Sequence, residues 1–345
     1  MIQYTLNGKP KKYLTLMPWE QLNNQLIEFK AACATSIFLG RTLVLPFLGW
    51  RKVDSWDFSY NILDFEWNDF QKYFDLVSLE SLPCDFITME EYLTYHSKDS
   101  ISMKFNPVAK ATSHEQLQDY YCQVLKLPCD IEIEDIGRRQ QISRTEIEQS
   151  FGTSNSLTLA FGAMFWFYDF NRFQPYPLLE YINYMDDPIY NSIVSSLEMG
   201  LQILKSVDIA LKKLGSFNAV HIRRGDYHAK CSKIKNLELQ RKCFPSTADI
   251  EKKLTEKFDP ALPLYISTNI GSDKSEFAGL QRKFKLYFIS DILDMAGSNF
   301  DQIELSLFDQ KICSVAQDFV GNFYSSFSRS IFEFRDTKSK PYDYW

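Results

Sequence analysis

Val220-His221-Ile222-Arg223-Arg224-Gly225-Asp226-Tyr227 is the stretch on which the reading of this chain turns. With Ala219 before it, its first half reads as a buried strand, and the arginines, glycine and aspartate that follow read as a polar loop. Adjacent cations then stand at the carboxyl end of a strand, where α/β proteins keep their sites. Arginine suits phosphate there. Its planar fork donates two hydrogen bonds at once and its charge persists at any relevant pH, so it can neutralise a departing diphosphate. The competing reading is a surface arginine pair with Asp226 as its salt-bridge partner.

Outward from this stretch, residues 263–268, 285–289 and 318–321 read as further strands with helical segments between them. Upstream, Ile193, Leu197, Leu201, Leu204, Ile209, Leu211 and Leu214 have the spacing of one long amphipathic helix over 188–214, closed by Gly215. Near the start, 13–17 reads as a strand ended by Pro18, 23–39 as a helix and 43–46 as the next strand, the order from which parallel sheets are built. The run 158–167 is a buried strand by composition, with a helix as the alternative, and 50–150 resists placement. Two such units in tandem predict an α/β protein of two Rossmann-like domains facing a ligand cleft, spanning 1–215 and 216–345. A chain of 345 residues is long enough for two separate cores.

Composition narrows the function. The net charge of -6 lacks the electropositive surplus that nonspecific nucleic-acid binding requires. No apolar run reaches the roughly 18 residues that span a bilayer, and the first residues lack the charged-then-apolar pattern of a secretory leader. Four histidines without the i, i+4 helical spacing of a zinc protease, and no Asp-x-Asp triplet, argue against a metal site. There is no phosphate-binding GxxxxGK[ST] or GxGxxG loop. Of seven cysteines, Cys122 with Cys129 and Cys231 with Cys243 are close enough to pair locally in an oxidising compartment; buried free thiols are the alternative.

Two more clusters carry candidate chemistry. Asp318-Phe319-Val320-Gly321-Asn322-Phe323-Tyr324-Ser325-Ser326-Phe327 leads a strand through small polar residues into a helix, whose N-H groups and hydroxyls can hold an anion; simple N-capping by Ser325 or Ser326 is the other reading. Pro18-Trp19-Glu20-Gln21-Leu22-Asn23-Asn24-Gln25 joins the first strand to its helix, with amides and a carboxylate available to the cleft, or with Asn23 or Asn24 as a plain helix cap.

These clusters, in this order, resemble the fucosyltransferase superfamily with its GT-B fold of two Rossmann-like domains, and most of all its GDP-fucose protein O-fucosyltransferase branch. The resemblance implies that Arg223, in His221-Ile222-Arg223, contacts the diphosphate of GDP-fucose and assists departure of GDP, with Arg224 beside it and His221 on the nucleotide. Asn24 matches a donor-site amide, and Glu20 falls where some members carry a glutamate that acts as general base, although Trp19 and Gln21 stand where glycine is common. Gly321-Asn322 with Ser325, Ser326 and Phe327 resembles the final nucleotide-binding motif. Asp309, thirteen positions before Asn322, matches an acid that contacts the nucleotide. A Cys231–Cys243 disulfide is implied likewise, and the segment Phe334-Arg335-Asp336 is similar to the family's ending.

The activity so implied is inverting, metal-independent transfer of fucose from GDP-fucose to a Ser or Thr hydroxyl of a protein, for example a small disulfide-rich domain. The lumen of the endoplasmic reticulum or Golgi is the implied location, with the cytoplasm as the alternative. Since His-Ile-Arg-Arg-Gly-Asp-Tyr is also similar to the motif of α1,2- and α1,6-fucosyltransferases, a glycan acceptor is the alternative reaction. The altered Trp19-Glu20-Gln21 loop motivates a third reading, a catalytically silent relative that binds a nucleotide sugar.

Overall fold

A computed structural model describes residues 5–6, 9–51, 61–96, 101–105, 113–128, 133–135, 143–162, 164, 188–269, 274–296, 299–322 and 324–345. The chain forms two compact units, divided between Glu198 and Met199.

The first unit is built on six parallel strands: β1 (Tyr13–Leu16), β2 (Thr42–Val44), β3 (Phe86–Ile87), β4 (Ile101–Phe105), β5 (Ile133–Asp135) and β6 (Thr158–Phe161), in the spatial order β3-β2-β1-β6-β4-β5. All four residues of β1 and of β6 are buried, as expected for central strands of a parallel sheet covered on both faces. Helix α1 (Leu22–Leu39) follows β1 and ends at Gly40, whose φ of 59° closes the helix in the left-handed conformation that favours glycine. Polar residues are buried along α1, so each needs a partner. Gln25 finds one in the main chain of Gly49, donating from Nε2 to its carbonyl at 2.7 Å and accepting its N-H at 3.0 Å. A disulfide between Cys33 and Cys84 ties α1 to the segment before β3. The sequence reading did not foresee this pairing; Cys129, the partner considered for Cys122, lies outside the described residues.

The expected single helix over 188–214 is two helices. Pro188–Ser195 belongs to the first unit and α2 (Leu201–Leu214) to the second. Gly200, extended at φ -60° and ψ 148°, is the N-cap of α2 and breaks the helical path. The apolar repeat runs unbroken across this point because both helices bury the same kind of stripe. The division between the units therefore precedes α2 rather than following it near 215.

The second unit carries five parallel strands, β7 (Asn218–Ile222), β8 (Leu264–Thr268), β9 (Leu286–Phe288), β10 (Phe319–Gly321) and β11 (Asp343–Tyr344), in the order β9-β8-β7-β10-β11. Val220, Ile222, Leu264, Ile266 and Val320 pack with Ile250, Leu254 and Phe277 into one core. Because side chains alternate along a strand, Ala219 and His221 face the opposite side, and their register partners Tyr265 and Ser267 face it with them. Helices α3 (Asp226–Cys231), α4 (Leu237–Cys243), α5 (Gln302–Val315) and α6 (Ser326–Thr337) complete the parts that bear on the site, and the Cys231–Cys243 disulfide joins α3 to α4 as the resemblance implied.

Arg335, on α6, is fully buried and spends its guanidinium on main-chain carbonyls. Nη1 donates to Cys313, Ser314 and Ala316 at 3.3, 3.1 and 2.9 Å, Nη2 to Gln317 at 3.0 Å and to Pro341, and Nε to Pro341 at 2.9 Å. Removing the donor leaves buried carbonyls unsatisfied, each costing about 1–3 kcal/mol. Arg335→Met is therefore expected to lower stability in urea by about 3 kcal/mol or more. Arg335→Lys recovers less than half, because an ammonium cannot reproduce the planar fork; unchanged unfolding midpoints in both variants would contradict this role.

Candidate active site

The site of the second unit is assembled where β7, β8 and β10 end. Strand β7 delivers His221 inside the sheet and Arg223 just past its end. The chain turns at Gly225, whose φ of 58° and ψ of -115° lie outside the range open to other residues, and enters α3 at Asp226. A Cβ on Gly225 would also come within 3.0 Å of the Asn269 side-chain amide. Asn269 follows β8 and accepts the Arg224 N-H at 2.8 Å, so the turn is held from the neighbouring strand.

Arg223 is held on two sides. Its Nε and Nη2 both donate to Asp226 Oδ1, at 3.2 and 2.9 Å, and its guanidinium lies 5.3 Å from the centre of the Tyr227 ring. Both side chains of the ion pair keep about a quarter of their surface exposed, 27% and 28%. The bond to Asp226 uses the Nε side of the guanidinium. The Nη1 edge takes no part in it and can meet an anion.

Arg224 turns inward, where its buried Nη1 has no hydrogen-bond partner among the described residues, while Nε and Nη2 are each 2.5 Å from Glu276 Oε1 and its guanidinium is 4.5 Å from the Phe244 ring centre. Its side chain is only 6% exposed, and a buried guanidinium needs such a partner. Asn322 directly follows β10. Its side chain is fully buried, donates to the Cys243 carbonyl at 2.8 Å and accepts the Tyr324 N-H at 2.9 Å, so both of its polar atoms serve the protein. Gly321 before it has no room for a side chain, since a Cβ there would lie 2.6 Å from the Phe332 ring.

His221 is buried, with Nδ1 2.7 Å from Ser328 Oγ and its ring 4.5 Å from that of Phe327. Burial, and secondarily the charge of Arg223, push its pKa down to about 3, so the ring is neutral. Ser325 is the N-cap of α6 by backbone conformation, yet its side chain makes no capping bond; Ser326 opens the helix. Asp309, half-buried on α5, accepts the Tyr265 hydroxyl at 2.8 Å and the Ser267 hydroxyl at 2.7 Å. Tyr265 and Ser267 alternate onto the face that carries His221, which brings this acid to the same side of the sheet. Burial raises its pKa to about 6, against the two hydroxyl bonds that lower it.

In the first unit, Glu20 has a φ of 63°, unusual for a residue with a side chain, and its carboxylate accepts the side-chain amide of Asn24. Gln25 Nε2 donates to the Glu20 carbonyl at 2.7 Å, so the residue that anchors Gly49 also holds this turn. The N-cap of α1 is Gln21, without a side-chain cap bond, and Asn23 and Asn24 lie inside the helix rather than capping it. Glu28, fully buried one turn on, accepts the Trp19 N-H at 2.8 Å. Its carboxyl is pushed well above the usual range by burial, opposed by that N-H bond and reinforced by the charge of Glu20.

Sequence reasoning missed Ser328, Asn269 and Glu276. Asn269 carried a usable signal, a polar residue directly after a buried strand; Ser328 and Glu276 carried none, being defined only by what the folded chain sets against them. Among the described residues no group of three metal-ligating side chains forms.

Two parallel-sheet α/β units, with an arginine, a neutral histidine and an acid at the strand ends of the second, are the architecture of the GT-B fold. The family model for GDP-fucose protein O-fucosyltransferases matches residues 13–338, and the chain belongs to that family, as a GDP-fucose-dependent glycosyltransferase. Among solved structures, POFUT1 in complex with GDP-fucose is similar over 99% of both chains with a TM-score of 0.65 at 17% identity. POFUT1 in complex with GDP gives 0.68 over 97% of this chain and 98% of that one, also at 17% identity. The NodZ α-1,6-fucosyltransferase co-crystallised with GDP gives 0.51 at 13% identity, over 94% of this chain and 92% of that one. No curated protein matches the sequence. At these identities the structures establish the fold, and the family rests on the family model.

Gly225→Ala forces a side chain into a conformation that costs about 1–3 kcal/mol and against Asn269. The variant is expected to unfold at correspondingly lower denaturant, whereas an alanine tolerated without loss would show that the turn is not constrained as described.

Proposed function

We propose that this chain transfers fucose, with inversion and without a metal ion, from GDP-fucose to a Ser or Thr hydroxyl of a protein acceptor, and that Arg223 stabilises the departing GDP. The observation that carries this reading is Arg223 itself, a cation at the carboxyl end of a central parallel strand, oriented by Asp226 and Tyr227 with one edge of its fork left for an anion. Family membership supplies the donor.

In the reaction the acceptor oxygen forms a bond to the anomeric carbon as the bond from that carbon to the β-phosphate oxygen breaks on the opposite face, and the electron pair leaves with GDP. The acceptor proton needs a general base, the role that the family resemblance assigns to the Glu20 carboxylate. Asn24, bonded to that carboxylate, orients it. Negative charge grows on the diphosphate, where Arg223 meets it, and a fixed guanidinium needs no reorganisation at that moment. Phe327 and the helix start at Ser325 and Ser326 border the nucleotide, with N-H groups and a dipole suited to phosphate. His221 and Asp309 complete the donor site, the acid accepting N-H groups of the guanine base. Two disulfides, Cys33–Cys84 and Cys231–Cys243, support an oxidising compartment such as the lumen of the endoplasmic reticulum or Golgi.

The test is transfer from GDP-fucose to folded disulfide-rich domains, with free oligosaccharides as the competing acceptors. Modified Ser or Thr on the domains is expected; fucose appearing only on oligosaccharides would overturn the protein acceptor. Arg223→Ala should lower kcat about 10²–10³-fold, and Glu20→Gln about 10²-fold or more.

Asp309 makes donor binding depend on pH with a defined sign. Its raised pKa means that the free protein holds the proton below about pH 6, while a guanine N-H requires the carboxylate, so binding must expel that proton. Both phosphates of GDP-fucose are diesters and do not titrate in this range. Calorimetry is therefore expected to show constant GDP-fucose affinity above about pH 6 and a loss approaching tenfold per pH unit below it. In Asp309→Asn this dependence vanishes; the same slope persisting in the variant would remove Asp309 from the site.

A further inference from the structure

The hydrogen-bond count around Ser328 determines where the proton of His221 sits. Ser328 lies in the first turn of α6 with its side chain fully buried. Its Oγ meets two groups, the main-chain N-H of Asn322 at 2.9 Å and Nδ1 of His221 at 2.7 Å. The Asn322 N-H can only donate, so it takes a lone pair of the hydroxyl. The hydroxyl then has one hydrogen to place, and among the described residues Nδ1 of His221 is the acceptor within reach. A proton on Nδ1 instead would point two donors at Oγ and leave the Ser328 hydrogen orphaned in the core, a cost of about 1–3 kcal/mol.

We propose that Ser328 is a positioning residue that holds His221 as the tautomer protonated on Nε2, so that the ring presents a neutral N-H donor to the acceptor oxygens of the nucleotide sugar. The proposal rests on the donor site described above. Burial supplies the first half of the arrangement by keeping the ring neutral, and with it a ring that has one proton and two places to carry it. Ser328 supplies the second half by occupying Nδ1 as an acceptor. Nε2, on the other side of the ring, is left as the donor, two residues from the arginine assigned to the diphosphate. The opposite tautomer would turn a nitrogen lone pair toward anionic oxygens. The same hydroxyl accepts the N-H of Asn322, the residue directly after β10, so the tautomer is set by the contact that joins the two strand ends. Ser328 would thus act on the donor without touching it.

Protein labelled with ¹⁵N at histidine reads the tautomer directly, and His221→Gln identifies the resonances among the four histidines. The expected wild-type spectrum has Nδ1 of His221 as an unprotonated, pyridine-type nitrogen and Nε2 as a pyrrole-type N-H, with the Nε2 signal moving when GDP is added. In Ser328→Ala the two nitrogens should shift toward each other as both tautomers become populated, and GDP should bind about tenfold more weakly. A pyrrole-type Nδ1 in the wild type overturns the proposal without recourse to any variant. So does an Nε2 signal unmoved by GDP that calorimetry shows to be bound. If calorimetry shows no GDP binding at all, the donor-site reading fails and the role proposed for Ser328 fails with it; the Nδ1 signal separately decides the proton count.

Discussion

One serine hydroxyl joins the two strand ends on which the candidate site is built. Ser328 bonds to His221 and to the main chain of Asn322, tying β7 to β10 beyond the ladder they share. The tethers around it follow the same line. Asn322 reaches the Cys243 carbonyl on the disulfide-closed segment, and Tyr227 donates its hydroxyl to the Tyr324 carbonyl at 2.7 Å. Since Tyr227 also lies against Arg223, the loop after β7 and the loop after β10 are fixed to one another and the guanidinium is fixed to both. Electrostatic stabilisation of a leaving group depends on this kind of preorganisation, because a cation that must be gathered during the reaction spends the energy it would supply.

The opposite ends of the strands are organised for stability by a device that recurs in both units. Arg335 collects carbonyls from the approaches to β10 and β11. In the first unit, buried Arg41 does the same, donating to the carbonyls of Tyr13, at the start of β1, and of Ser154, Ser156 and Leu157 ahead of β6. Burial lowers its pKa to about 10, which still leaves it charged. Each arginine thus satisfies main-chain acceptors that a parallel sheet leaves open where its strands begin. The other ends remain available for loops that carry chemistry.

Much of the fold was legible because it rests on local patterns. Short apolar runs around Tyr13, Val220, Ile266 and Val320 marked central strands, and Gly215 marked a helix end where the backbone takes a positive φ. The break between Pro188–Ser195 and Leu201–Leu214 was not legible, because the apolar repeat passes over Gly200 unchanged. In the site, the cluster from His221 to Asp226 was visible as charge at a strand end. Which arginine faces outward was not, since the inward turn of Arg224 depends on Glu276 and Phe244, brought near only by folding. The bonds of Asn322 to Cys243 and Tyr324 were likewise not legible, since only folding brings Cys243 to it.

In the proposed reaction Arg223 meets the diphosphate of the donor while Asp226 keeps hold of its other side. A crystal structure of the protein with bound GDP-fucose measures both contacts at once. A β-phosphate oxygen is expected within about 3 Å of the Nη1 edge of the guanidinium, with the Asp226 bond retained. A diphosphate bound elsewhere, with the Arg223 guanidinium directed away from it, would rule out Arg223 as the group that stabilises departing GDP.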